Sequence, residues 1–117
     1  MRIRKHIMNA VAAEQDLEFD ELRDSASHAC DLLKAMANEW RLMILCHLSS
    51  GEKTVSELQA VLGLSQSALS QHLAILRRER IVRSRKHAQS VSYSLAGDEA
   101  TRVMESLHDV FCGAADS

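Results

Sequence analysis

Apolar positions recur every three to four residues along most of this chain, and every second residue in one short stretch near residue 93. That contrast predicts helices around a single small β element. Ala29, Leu32, Leu33 and Met36 form an apolar stripe over "DSASHACDLLKAMANE", which reads as a first helix capped by Asp24 or Ser25. Asn38 interrupts the run and caps a second helix, Glu39 to about Ser49, with Leu42, Leu45, Cys46 and Ser49 on its stripe. "SSGEK" reads as a turn. Thr54-Val55-Ser56-Glu57 has the form of a capping box, so a short third helix runs to about Leu62, and Gly63 suits its left-handed end. Ser65 caps a fourth helix through about Arg78. In "IVRSRKHAQSVSYSL", Val91, Tyr93 and Leu95 alternate with Ser90, Ser92 and Ser94. Ile81 to Arg85 pairs with them across "KHAQ" as a hairpin. Asp98 opens a last helix with Ala100, Val103, Met104, Leu107 and Phe111 on one face.

A short capped helix, a tight turn and a second capped helix make a helix-turn-helix. At about 100° per residue, Leu69, Leu73 and Leu76 share one face of the fourth helix. Gln66, Ser67, Ser70, Gln71, Ala74 and Arg78 are left to the outside. That face is small, polar and neutral at its start and basic at its end, as an element entering a major groove requires. Gln71 can bond the edge of adenine, and Arg78 can hold a phosphate. An ordinary solvated helix face would carry more Glu and Lys. On the hairpin, Arg83, Arg85, Lys86 and Gln89 would form a wing against DNA backbone or minor groove. His72 lies near the buried side, which fits a core or phosphate-side histidine better than a ligand.

Composition sharpens this picture. The chain has 117 residues, enough for one domain, with 46% hydrophobic residues, 3% aromatic residues and no proline. This favours packed helices over a strand-rich sandwich. The net charge is -2, yet residues 64–97 carry a net positive charge and the rest is acidic. A basic block on an acidic body points to a polyanion as partner. No segment approaches the roughly 18–20 apolar residues of a membrane span. "MRIRKHIMNAVAA" lacks the apolar core of a secretory signal. The chain therefore reads as cytoplasmic, with a flexible tail over 1–20, a DNA-binding and sensing domain over 21–115, no cofactor and no membrane partner. Three cysteines in such a chain are core, redox or metal-binding thiols rather than a disulfide framework. From the residues alone, Cys46 fits either a small core filler or a reactive thiol. An enzyme would need an activating base and a substrate pocket, and neither is legible.

The run "LLKAMANEWRLMILCHL", with "VSELQAVLGLSQSALSQHLAILRRERIVRSRKHAQSVSYSL", resembles the ArsR family of bacterial winged-helix repressors over about residues 26–112. "LGLSQSALSQHLAILR" is the most specific part. The resemblance implies a mainly α winged helix-turn-helix with a small β-hairpin. It also implies a homodimer held through its first and last helices. Such a dimer binds an imperfect inverted repeat in double-stranded operator DNA and leaves it when an inducer arrives. Two-fold symmetry agrees, since one reading helix covers only a half-site.

The same resemblance narrows the inducer. Arsenic, cadmium and lead sensors of the family carry Cys-x-Cys on the third helix, where this chain has Ser56-Glu57-Leu58-Gln59-Ala60-Val61. Zinc and nickel sensors carry Asp-x-His and His-x-x-His/Glu pairs on the last helix, where Asp98 is followed by Glu99 and Ala100. Cys46 on the second helix and Cys112 at the end of the last instead resemble the sulfide- and persulfide-responsive subgroup, as do "ANEWRLMILC" and "LSQSALSQHLA". In that subgroup, reactive sulfur species bridge the two cysteines and the repressor leaves DNA. Two alternatives stand beside this. One is a zinc or copper sensor using the same cysteines with His47 or His108, and the other is a general disulfide redox switch. Cys30 is read as a plain structural thiol outside the pair, with a redox bystander near the dimer interface as the alternative, and Trp40 as unusual at a position expected to be basic or small.

Overall fold

The computed structural model describes residues 16–113. Part of the expected tail, residues 1–15, and the last four residues, 114–117, lie outside the described residues. The described chain runs α1 (Asp16–Met36), α2 (Glu39–Leu48), β1 (Lys53–Thr54), α3 (Val55–Leu62), α4 (Gln66–Arg78), β2 (Val82–His87), β3 (Ser90–Leu95) and α5 (Glu99–Phe111). It divides into two compact units, one ending at Leu33 and the other starting at Lys34. Among the described residues, no helix is long and apolar enough to cross a membrane.

The first unit is α1 up to Leu33. The helix is under way well before Asp24 and Ser25, which sit inside it rather than capping it. The reason is that no glycine or proline interrupts the stretch. Phe19, Leu22, Ala26, Ala29, Leu32 and Met36 continue one three-to-four spacing through the polar "RDSAS". Phe19 and Leu33 are exposed, and so is Cys30.

The second unit is built on α2, which packs against α3, α4 and β3. Asn38 caps it, its side chain accepting from Arg41 N at 3.1 Å. Ile44, Leu45 and Leu48 are buried, whereas Cys46 and Ser49 are exposed. The expected stripe of Leu42, Leu45, Cys46 and Ser49 is therefore corrected. Because neighbours cover α2 so broadly, its buried side centres on Ile44 and Leu48, and Cys46 points away from it.

Around the turn of the helix-turn-helix, expectation and structure agree closely. Thr54 Oγ1 accepts from Glu57 N at 3.0 Å, and Glu57 Oε1 accepts from Thr54 N at 2.8 Å, a complete capping box. Gly63 closes α3 at φ 70°, its N–H donating to Gln59 O at 2.9 Å. Ser65 Oγ accepts from Ala68 N at 3.1 Å and starts α4.

The other end of α4 falls at Arg78 as expected, but how it closes was not legible. Arg80 N donates to Arg77 O at 3.0 Å and Ile81 N to Leu76 O at 2.9 Å, a Schellman closure. It places Arg80 at φ 60°, a conformation usually given to glycine. Arg80→Gly is expected to stabilise the fold by about 0.5–1 kcal/mol, read as a higher melting temperature.

The sheet has three strands in the order β1-β3-β2, all antiparallel, not a lone hairpin. β1 is two residues long, which is too short to leave a pattern. The hairpin loop is tighter than "KHAQ": His87 pairs with Ser90, leaving Ala88-Gln89 as the loop, and Ile81 stands outside the strand. Antiparallel partners share a face. One face carries Val82, Ser84 and Lys86 with Leu95, Tyr93 and Val91. It turns toward α4, since Arg77 Nη1 donates to Ser84 Oγ at 3.3 Å. The other face carries Arg83, Arg85 and His87 with Ser94, Ser92 and Ser90. On α5, Ala100 and Met104 are buried, but Phe111 is 78% exposed and Val110 68% exposed.

Candidate nucleic-acid interface and thiol pair

α4 sorts its residues cleanly. Leu69, Leu73 and Leu76 are each at most 1% exposed. Gln66, Ser67, Ser70, Gln71, Ala74 and Arg78 are all exposed. The helix is thus fixed by three leucines against α2 and β2, and its neutral side is free. Beside it, a polar groove of about 420 Å³ runs between the start of α3, α4 and β3. Thr54, Ser56, Gln59, Gln66, Ser70 and Gln89 contribute amides and hydroxyls to it. None of its lining residues is charged.

His72 lies on the flank of α4, 3.4 Å through Nδ1 from Arg41 Nη1. Arg41 also donates through Nε to Ala35 O at 2.5 Å. Burial, and then the Arg41 charge, push the imidazole below its ordinary value. A neutral ring accepting from Arg41 is the state this geometry supports. His72 is therefore a link between α2 and α4, on the core side of its two expected settings.

On the hairpin, Arg83, Arg85, Lys86 and Gln89 are all exposed. They are not equally free. Arg83 Nε lies 3.5 Å from Ser94 Oγ, and Arg85 Nη2 lies 3.0 Å from Glu52 Oε1. Glu52 and Ser92 were missed by sequence reasoning, because Glu52 is 33 positions from Arg85 and 40 from Ser92.

The thiols lie in the same unit. Cys46, on α2, lines a pocket of about 290 Å³ with Ser49 and with Thr101, Met104, Glu105, His108 and Asp109 of α5. Cys112 follows α5, its N–H donating to His108 O at 2.7 Å. Both are free and exposed, so the core-filler reading of Cys46 is set aside. Burial of its sulfur raises the Cys46 thiol above its ordinary value, and the charge of Cys112 raises it further. Among the described residues, no group of three or more His, Cys, Asp and Glu is placed to hold a metal.

A capped helix pair with a left-handed glycine between, an uncharged reading face and a basic antiparallel wing together define a winged helix-turn-helix regulator. Residues 38–84 match the family described as bacterial regulatory protein, arsR family. The chain is 50% identical over 98 residues to the transcriptional activator HlyU of Vibrio cholerae, covering 84% of this chain and 91% of HlyU. It is 37% identical over 102 residues to the biofilm growth-associated repressor of Agrobacterium fabrum, covering 87% of each. The structure of reduced HlyU from Vibrio cholerae superposes with a TM-score of 0.75 at 52% identity, over 79% of this chain and 97% of that one. A homodimeric winged helix-turn-helix domain from Mycobacterium bovis superposes with a TM-score of 0.71 at 26% identity, over 78% and 84%. The chain belongs to the ArsR family of bacterial transcriptional regulators.

Proposed function

We propose that this protein is a homodimeric repressor in the cytoplasm that binds an imperfect inverted repeat and is released when reactive sulfur species bridge Cys46 to Cys112. The observation that supports the switch is a pair of free, exposed thiols in one unit, Cys46 in a pocket lined by α2 and α5 and Cys112 directly after α5. α4 would read bases through Gln66, Ser67, Ser70 and Gln71, with Arg78 on phosphate. The wing would add Arg83, Arg85, Lys86 and Gln89. The exposed Val110 and Phe111 on α5, and Phe19 and Leu33 on α1, suit burial in a dimer. The Mycobacterium bovis relative is described as homodimeric. HlyU is named an activator and the Agrobacterium fabrum relative a repressor. The sign of regulation proposed here follows the second.

The chemistry is conservative in atoms and electrons. A thiolate attacks the outer sulfur of a low-molecular-weight persulfide, forming a protein persulfide and expelling the carrier thiolate. The second cysteine's thiolate then attacks Sγ of the first, the inner sulfur of that persulfide, expelling hydrosulfide and leaving a disulfide. If both cysteines are first persulfidated, they condense to a trisulfide and release hydrogen sulfide. With its thiol pushed up, Cys46 suits the resolving role. In chain-entropy terms, a cross-link closing so long a loop is worth about 4 kcal/mol. An allosteric coupling needs only about 1–3 kcal/mol.

The test treats the reduced dimer with glutathione persulfide, then reads intact mass and affinity for an operator selected in vitro. The expected result is a Cys46–Cys112 bridge, part disulfide and part trisulfide with one added sulfur, with affinity reduced about 5–150-fold. A bridge formed as readily by peroxide, and never containing extra sulfur, would indicate a general disulfide switch. Unchanged affinity, or a full response in Cys112→Ser, defeats the proposal.

A further inference from the structure

Against the wing lies a carboxylate that the DNA-reading function does not use. Glu52 sits between α2 and β1 and is held at two points. One oxygen accepts from the hydroxyl of Ser92, a residue only 8% exposed. The other lies 3.0 Å from Arg85 Nη2. The hydrogen bond from Ser92, ahead of the Arg85 charge, keeps the Glu52 carboxyl below its ordinary range. It is therefore ionised at neutral pH. Arg85 and Ser92 are register partners on the sheet's outer face, and β1 joins the same sheet with Thr54 opposite Ser92. The carboxylate is therefore clamped against the face that carries Arg83 and Arg85.

We propose that Glu52 is an internal stand-in for a DNA phosphate, occupying Arg85 in the free protein and lowering the wing's sequence-independent grip on DNA. This rests on the reading that the wing meets DNA. Carboxylate and phosphate offer the same paired oxygens to a guanidinium fork. The Arg85 side chain is 69% exposed, so a phosphate can reach it from outside. An exposed ion pair of this kind is weak, so the exchange is feasible. Yet DNA must either displace Glu52 from Arg85 or bring a phosphate beside its negative charge. Phosphate contacts carry no sequence information, so Glu52 lowers affinity for all duplexes and leaves discrimination to α4. A wing without this brake would hold arbitrary DNA more tightly.

The experiment measures binding of the full, reduced chain to its selected operator and to a scrambled duplex across a potassium chloride series. Glu52→Gln keeps the shape and the ability to bond Ser92. It is expected to bind both duplexes several-fold more tightly at low salt. The slope of log affinity against log salt should steepen by about one per protomer. The gain should vanish in an Arg85→Ala background. Ser92→Ala, which loosens the carboxylate without removing its charge, should give a smaller gain of the same sign. Unchanged or weaker binding by a folded Glu52→Gln protein, or a gain that persists without Arg85, overturns the proposal. A combined Arg83→Ala and Lys86→Ala variant separates the two levels. If it binds as tightly as the parent, the wing reading itself fails. If it binds more weakly while Glu52→Gln changes nothing, only the role of Glu52 fails.

Discussion

Ser70→Glu should abolish operator binding while leaving the folded protein intact. Ser70 is exposed in the middle of the α4 face and lines the polar groove beside it. Glutamate there adds length and negative charge where base edges and phosphates would approach. Losing one good base contact costs about 1–3 kcal/mol, and a dimer suffers it in both half-sites. The expected loss is at least about 30-fold, since every 1.4 kcal/mol is about tenfold. Stability should move by no more than about 0.5 kcal/mol, because the position is exposed. Glutamate is also a better helix former than serine and sits toward the favourable end of the α4 dipole. Fluorescence anisotropy and thermal melting on one sample check both halves. Binding within a few-fold of the parent would remove α4 from the DNA interface.

The residues this prediction depends on were readable from the sequence because their physics is local. A capping box needs two residues three apart, as Thr54 and Glu57 are, and a left-handed end needs one glycine, Gly63. The separation of Leu69, Leu73 and Leu76 from Ser70 and Gln71 follows from the helical period alone. The sequence therefore indicated which side of α4 would face outward.

What escaped the sequence is what depends on partners distant in the chain. Ser92 alternates with apolar residues and looked like the solvent side of a strand. It is nonetheless the one buried polar residue among those described, because Glu52 bonds it from a separate connection. Cys46 looked like part of an apolar stripe because α2 is apolar on most sides. Only the placement of α3, α4 and β3 decides which sides are covered. Arg80 escaped for a different reason: a left-handed helix end is signalled by glycine, and this chain puts a charged residue there. The thiol pair lies between these cases. The residues named both cysteines, but the pocket that Cys46 lines with residues of α5 follows from tertiary placement.

Leu73→Ala should have the opposite profile to Ser70→Glu, although only three positions separate them. Leu73 is 1% exposed and lies between Leu69 and Leu76, both fully buried, on the side of α4 that packs against α2 and β2. Truncating a buried leucine removes its transfer free energy and leaves a cavity that neighbours on both sides keep from collapsing. The expected cost is about 2–5 kcal/mol. A domain has about 5–15 kcal/mol in total, so a substantial share of its stability is at stake. The melting temperature should fall by about 10 °C or more. DNA binding should fall with it, but only as the folded population falls, so cooling or a bound operator duplex should restore it. Ser70→Glu should show no such rescue. An exposed control on the same helix, Ala74→Ser, should melt within about 0.5 kcal/mol of the parent. If Leu73→Ala melts like that control, the three leucines do not anchor α4. The uncharged face would then lack the rigid support that reading a base edge requires.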